Sequence, residues 1–508
     1  MTDINAGTNM PEIERLGVPS ELIGNPRPAS IEAKRTSYLS PSENSTYIGG
    51  DTVRFTLPCQ PNTYLTPDVS LEFVWKNTTA AAAAPAGGSG ALDYSASSII
   101  RRLRIFHGSQ LLEDVSEYGK LRQIIQDISQ SPVNSSTISS ILEGTPPSGA
   151  VAGGGVVATR EDPSIPNLRS LKIVPEQMRS TFVAPQQSRR YKIRLVSGLI
   201  GSLATASCPC NAMSASPLRV EIELASNNDA VLSMPATVAP DPVLAALPIT
   251  WEINNVQLNA TYIQVSSAAQ ALIDQATGGK YMLNTSMYRH AQQNLPGSSQ
   301  SGSILLPFSY SSLKHVLHGH YIQSNNNNQT TYSISGRSRC NIGKTWYQIG
   351  ASRVPSQQID GSLQILSEAC SCFAISSDLL QVSNHLTLEN TASPAANFCR
   401  GWYKQSVTAV AGGAAQVPVP AQVPNSNIRG TFTSGYDMEA FGAASSTQRI
   451  ESGINTTALQ MYYQLETVAG QTFGGPVVGG VQQQVEVHSW AQYDCLITCA
   501  NGQAYARF

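Results

Sequence analysis

Charge is scarce in this 508-residue chain: only 13% of residues are Asp, Glu, Lys or Arg, and 34 acids against 32 bases leave a formal net charge of -2. A protein that grips nucleic acid or an anionic membrane through charge needs a basic stripe or patch. The balance excludes a strong footprint of either kind and leaves neutral protein surfaces as the expected partners. Long apolar runs are missing as well. None reaches the ~18 residues that a membrane-spanning helix needs, and the opening MTDINAGTNMPEIERLG has neither the basic start nor the apolar stretch of an export signal. A reducing compartment is therefore expected. The nine cysteines form an odd set, and the tight pairs Cys208-Pro-Cys210 and Cys370-Ser-Cys372 lack the spacing of a structural zinc site. No disulfide framework is expected.

The signatures of catalysis are absent too. There is no G-x-S-x-G elbow, no H-E-x-x-H and no dinucleotide fingerprint after a strand. Gly343-Lys344-Thr345 ends like a phosphate loop, but the glycine that should stand five positions earlier is Ser338. His315, His318 and His320 could offer imidazole to zinc or copper. On a strand, alternation sets His315 apart from the other two, and no carboxylate or cysteine lies nearby. Glu72 and Glu223 are the kind of carboxylate pair that a β-sandwich glycosidase would hold across a cleft, and nothing in the sequence favours the pairing. Cys495 and Cys499 flank a strand end, where buried thiols act as small hydrophobes. Trp75, Trp251, Trp346 and Trp490 stand in alternating runs and read as core. The chain is read as having no catalytic, cofactor-binding or metal-ligating residue, no cofactor and no enzymatic activity.

What the chain has in quantity is turn chemistry, with 39 Gly and 30 Pro set between short alternating runs. That combination predicts an all-β architecture with long loops. Val53, Phe55 and Leu57 fall on one strand face, as do Val69, Leu71, Phe73 and Trp75, then Leu218, Val220, Ile222 and Leu224. The organising stretch is 95–128. In it Leu103 and Ile105 alternate with Arg102 and Arg104, and a helix follows with the stripe Tyr118, Leu121, Ile125 and Ile128, capped by Ser116. An echo of strand then helix runs over 251–278, its helix face marked by Val265, Ala268, Ala269, Leu272 and Ile273 and closed by Gly278. Residues 1–45, with five prolines and six acids against four bases, read as an extended arm ordered only by contacts. The expected map is this arm, a first unit over 46–235, a proline-rich linker over 236–248 and a second unit over 249–508.

Four segments resemble the double jelly-roll major capsid proteins of the adenovirus, PRD1 and virophage lineage of double-stranded DNA viruses. They are VRFTLPCQPNTYLTPDVSLEFVW, IIRRLRIFHGSQLLEDVSEYGKL, TWYQIGASRVPSQQI and SWAQYDCLITCANGQAYARF. The strand, Cys-x-Pro turn and strand over 53–75 are especially similar to the opening of virophage-type members. The resemblance implies two eight-stranded antiparallel rolls side by side, with short helices in loops. It implies a homotrimer forming a pseudo-hexameric capsomer that tiles an icosahedral shell around a double-stranded DNA genome. The tracts at 80–91, 144–158 and 410–427 would be tower or rim loops. The arm would meet neighbouring capsomers, penton or minor capsid proteins, without strong nucleic-acid binding. The place of the protein would be the virion, assembled in the host cytoplasm or nucleus. Two rival readings are a cytosolic β-sandwich lectin or carbohydrate-active protein, which leaves the arm unexplained, and a tandem jelly-roll coat protein of an RNA virus, which usually brings a basic arm or interior.

Overall fold

Apolar residues at every second position make most of the strands, because side chains alternate across a pleated backbone. The structure, a computed structural model, describes residues 33–80, 90–129, 138–144, 183–233, 248–323, 326–329, 332–373, 388–390, 403–405, 431–439, 453–474 and 483–507. The first half runs β1 (Ala33–Pro41), β2 (Thr46–Tyr47), β3 (Thr52–Leu57), β4 (Thr63–Leu65), β5 (Ser70–Asn77), β6 (Gly90–Leu92), β7 (Ile100–His107) and β8 (Gln110–Ser116). Helices α1 (Tyr118–Ser129) and α2 (Ile138–Leu142) come next, then β9 (Ser188–Arg194), β10 (Leu218–Leu224), β11 (Val231–Ser233), β12 (Trp251–Val265) and helix α3 (Ser267–Thr277). The second half opens with β13 (Lys280–Leu295), β14 (Ser301–Leu306), β15 (Leu313–Ile322), β16 (Ile342–Ile349), β17 (Ser352–Asp360) and helix α4 (Gly361–Ser371). It ends with β18 (Leu388–Asn390), β19 (Tyr403–Gln405), β20 (Ser434–Asp437), β21 (Met461–Thr467), β22 (Val485–Ala500) and β23 (Gln503–Arg507).

Each half builds the same pair of antiparallel sheets. In the first, β1-β12-β5-β9 stands against β3-β10-β7-β8; in the second, β13-β22-β15-β20 stands against β14-β21-β16-β17. If the eight strands of each half are ranked along the chain, both halves read first-eighth-third-sixth in one sheet and second-seventh-fourth-fifth in the other. That interleaving, in which sequential strands mostly alternate between sheets, is the winding of a jelly roll. The buried faces close one apolar core, with Phe73, Trp75 and Ile253 from one sheet and Phe55, Leu103 and Val220 from the other in the first roll. Each roll carries a helix after its fifth strand, α1 in the first and α4 in the second, and these two helices touch.

This winding corrects the expected map in four places. Residues 33–41, assigned to a free arm, form β1, whose whole length pairs with β12 from Ala33 opposite Val265 to Pro41 opposite Gln257. The strand is exposed along most of its length, so no apolar alternation announced it. Trp251–Val265, assigned to the second unit, is the eighth strand of the first roll and pairs with β5 and β1. The sheets therefore divide after Val265 and not at the proline-rich stretch, whose residues 236–247 lie outside the described residues, as do residues 1–32 and nearly all of the three expected tower loops. Between the strand and the helix of the organising stretch a further strand intervenes: β8 pairs with β7, and Ser116 closes it instead of capping α1. Glu117, at φ +51°, makes the turn into the helix. The true counterpart of this hairpin and helix is β16, β17 and α4, not residues 251–278.

Helix α1 buries Tyr118, Leu121, Ile124 and Ile128, with Ile125 only half-buried, so the stripe turns by one residue from the expected one. Gly119 allows the close approach, since a Cβ there would stand 3.0 Å from the carbonyl oxygens of Ser97 and Ile100. Leu121 is fully buried, and Leu121→Ala should cost about 2–5 kcal/mol through lost burial and the cavity left behind. A shift of the urea midpoint worth less than ~1 kcal/mol would show that α1 is loosely packed.

Helix α3 meets its expected ends: the Ser266 hydroxyl accepts from the Ala269 N–H, and Gly278 closes it at φ +64°. Of its expected face, Ala269 is buried but Leu272 is 63% exposed.

Candidate functional site

The residues of one helix decide how the two rolls are joined. Lys120 and Asp127 stand seven apart on α1, two turns along one face, and that face is turned to the second half of the chain. Asp127 pairs with Arg337, and both side chains are wholly buried. The guanidinium also donates to the carbonyls of Phe432 at 3.1 Å and Thr431 at 3.1 Å. Nearby, Asp93 accepts from the N–H groups of Ile334 at 2.7 Å and Ser335 at 3.2 Å. Buried carboxylates and a buried guanidinium are tolerable only when paired this fully.

At the other end of α1, the Lys120 ammonium lies 3.1 Å from Glu117 and 3.1 Å from His488 Nε2, and 4.7 Å from the centre of the Tyr321 ring. His488 Nδ1 is 2.9 Å from His290 Nε2; the His488 ring stacks on both His290 and Trp490, and His290 is tilted against Trp490. The Trp490 indole donates to the Ser116 carbonyl at 3.3 Å. Asp114 is held by both arms of Arg102, at 2.7 and 2.8 Å, and by Arg289 of the second roll at 3.1 Å. Gln329 accepts from the Ile249 N–H at 2.7 Å and donates back to its carbonyl at 2.9 Å. A polar cavity of about 270 Å³ opens between the rolls here, lined by Glu117, Lys120, Asp229, Glu486 and His488 among others.

The electrostatics follow from burial and these contacts. Burial opposes charge on Glu117, but Lys120 and the nearby histidines outweigh it and hold the carboxyl down at about 2. Burial pushes His290 down to about 4, partly countered by Glu117. Burial and then the Lys120 charge hold His488 well below the usual histidine range. Both rings are therefore neutral near pH 7.

The residues weighed as sites fall elsewhere and apart. His315 bonds Tyr288 at 3.0 Å, His318 bonds Ser489 at 2.7 Å and Tyr347 at 2.9 Å, and His320 lies against Phe432 and Tyr463. All three are buried on β15 and driven neutral by burial. Among the described residues no group of three or more His, Cys, Asp or Glu is arranged to hold a metal. Glu72 sits on β5 with Asn259 and Arg190, and Glu223 sits on β10 with Arg101; they belong to different sheets, each between buried apolar neighbours. Gly343, Lys344 and Thr345 lie inside β16; Lys344 and Thr345 are paired on both sides and Gly343 falls at the bulge between Ile342 and Lys344, with no phosphate loop. Cys495 and Cys499 are buried on β22, their thiols pushed up to about 12 by burial. Cys59 and Cys210 come together near Cys208, and every described cysteine is free. Trp75, Trp251 and Trp490 are core, whereas Trp346 is half-buried with Arg353 5.0 Å above its ring. The buried polar row on α1 does not show in the sequence, where Lys120 and Asp127 simply lie off the apolar stripe. Their seven-residue spacing was the available signal.

No protein-family model and no curated protein sequence matches the chain. Solved structures do match it by shape. The PBCV-1 virus capsid superposes with a TM-score of 0.54 at 10% identity, covering 94% of this chain and 97% of that one. VP54 of PBCV-1, a crystal structure fitted into a reconstruction of the virophage Sputnik, gives 0.53 at 10% identity with the same coverage. The Sputnik virophage structure gives 0.51 at 11% identity over 94% of this chain and 88% of that one. Among the described residues no helix is long and apolar enough to cross a membrane. With its two like-wound rolls joined through α1 over nearly the whole length of these structures, the chain has the double jelly-roll fold that they share.

Proposed function

We propose that this protein is the major capsid protein of a double-stranded DNA virus, a structural component of the virion and not an enzyme. The observation that carries the reading is the match, over 94% of this chain, to the PBCV-1 virus capsid, together with the identical winding of both rolls. Two rolls of one winding in one chain give a subunit with approximate two-fold repetition, and three such subunits around an axis give six similar rolls. That is a pseudo-hexagonal block able to tile a closed shell.

The surface chemistry supports contact between copies. Met282 on β13 and Tyr505 on β23 both stand opposite Thr498 of β22, so they share one face of the sheet, and they are 63% and 51% exposed. A charge-poor surface with such rows is better covered than solvated. Residues 1–32 are proposed to reach neighbouring capsomers, penton or minor capsid proteins. The tracts at 80–91, 144–158 and 410–427 are proposed as tower loops. Assembly in the host cytoplasm or nucleus goes with this reading, as does weak affinity for nucleic acid, which the near-zero net charge supports.

The purified protein should be a monodisperse homotrimer at micromolar concentration by light scattering, and negative-stain images should show pseudo-hexagonal particles. A stable monomer whose behaviour changes with added sugars would favour the lectin reading and sink this one.

A further inference from the structure

The contact between α1 and β22 runs through groups whose protons are fixed by their neighbours. An ammonium can only donate, so at 3.1 Å from Lys120 Nζ the His488 Nε2 must accept, and the single ring proton of His488 sits on Nδ1. Nδ1 then donates over 2.9 Å to His290 Nε2, so His290 carries its own proton on Nδ1. The chain from Lys120 to His488 to His290 thus has one direction. A second proton on either ring breaks it, because two donors then face each other at hydrogen-bond distance.

We propose that this chain is an acid-sensitive latch: protonation of His488 or His290 parts the start of α1 from the first half of β22 and opens the polar cavity between the rolls. The paired Asp127 and Arg337 hold the other end of α1 in place, so the opening is local.

The groups around the two rings decide the direction of the effect. Lys120 and Glu117 face them from the start of α1, Asp114 from β8, Arg289 from β13, His320 and Tyr321 from β15, and Glu486 from the strand of His488 itself. Arg101 and Asp229 line the cavity beside them. The carboxylates that would welcome a proton on the rings are already engaged: Glu117 by Lys120 and Arg101, Asp114 by Arg102 and Arg289, Glu486 by Asn326. Burial and the Lys120 charge therefore prevail, and both rings titrate below a free histidine while the latch is closed. Opening restores the solvated value near 6.5. Opening is then favoured as pH falls below ~6.5, about tenfold per pH unit for each ring released.

Hydrogen–deuterium exchange of the intact protein at pH 7.5 and 5.0, corrected for the intrinsic chemical rate, reads this directly. Peptides covering 117–124 and 485–491 should show an opening constant larger at pH 5.0 by ~30-fold if one ring is released and ~1,000-fold if both are. The histidine-free strands β3 and β10 serve as the internal reference. His488→Gln keeps an acceptor toward Lys120 and a donor toward His290 without titrating, so its rise should fall to that of one ring at most. Adding His290→Gln should abolish the rise. If the variants fail to fold, the wild-type comparison decides alone: a rise confined to the junction peptides supports the latch. A junction response no larger than that of β3 and β10, or an undiminished rise in the double variant, overturns it.

Discussion

Asp127→Ala should destabilise the protein by about 3–5 kcal/mol, because it removes one partner of an ion pair from which water is wholly excluded. The Arg337 guanidinium would be left buried with backbone carbonyls as its acceptors, and a buried cation without a counter-charge is costly. The pair itself need not be stabilising, since two charges have been stripped of water to make it. Asp127→Leu combined with Arg337→Met, which fills similar space without charge, should therefore regain most of the loss. Urea denaturation of all three proteins measures this. A single variant within ~1 kcal/mol of wild type would mean that Arg337 finds another counter-charge or reaches solvent.

Acid should unfold the protein steeply. Four buried histidines and the half-buried His290 are held neutral: His290 at about 4, His315 and His320 at about 3, His318 and His488 well below the usual range. Their folded values lie below the unfolded value near 6.5, so the unfolded chain binds more protons under that pH and stability falls as pH falls. Each histidine contributes at most about 1.4 kcal/mol per pH unit, or roughly 7 kcal/mol per unit for all five. Three carboxyls work the other way: burial raises Glu113, Glu368 and Asp437, which then take up protons more readily folded than unfolded. If all three offset fully, about two histidines remain, and stability should still drop by roughly 3 kcal/mol per unit between pH 6 and 5. Glu117, held at about 2, adds a further loss only below about pH 4.5. Equal urea midpoints at pH 7.5 and 5.0 would show that these rings are protonated or solvated in the folded protein.

The strands that alternate were legible, and those that do not were missed for physical reasons. β3, β5 and β10 bury one face, so Phe55, Phe73 and Val220 could be placed inward from their spacing alone. β1 buries almost nothing, and its only strong cue, nine residues of pairing with β12, is a contact made across more than 200 positions of chain. β8 buries Leu112 and Glu113 in succession, which breaks the period of two. Glu113 is there to receive the Ser197 hydroxyl and the N–H of Gly198 at 2.8 Å, a need of the folded loop and not of the strand. The domain boundary was misplaced because prolines mark a break in regular structure, not a change of sheet. In a jelly roll the eighth strand returns beside the first, so the last strand of the first roll can lie beyond a proline-rich stretch and still belong to its sheet. The junction was invisible for a further reason: Lys120, Asp127 and His488 are residues whose types say surface, and only the second roll makes them interior.

Because every sheet is complete on one side or the other of α3, the bond between Gly278 and Gly279 is where the polypeptide can be severed with least damage. Both glycines have positive φ, and no neighbouring atom lies within 4 Å of where a side chain would be. Two fragments made there would each own a full set of eight strands. Neither would be soluble comfortably alone, since one would expose Asp127 and Asp93 and the other Arg337 and His488. Co-expressed, they should find each other as a non-covalent heterodimer. A cut within 236–248 would instead leave the first fragment without the strand to which both β1 and β5 are bound.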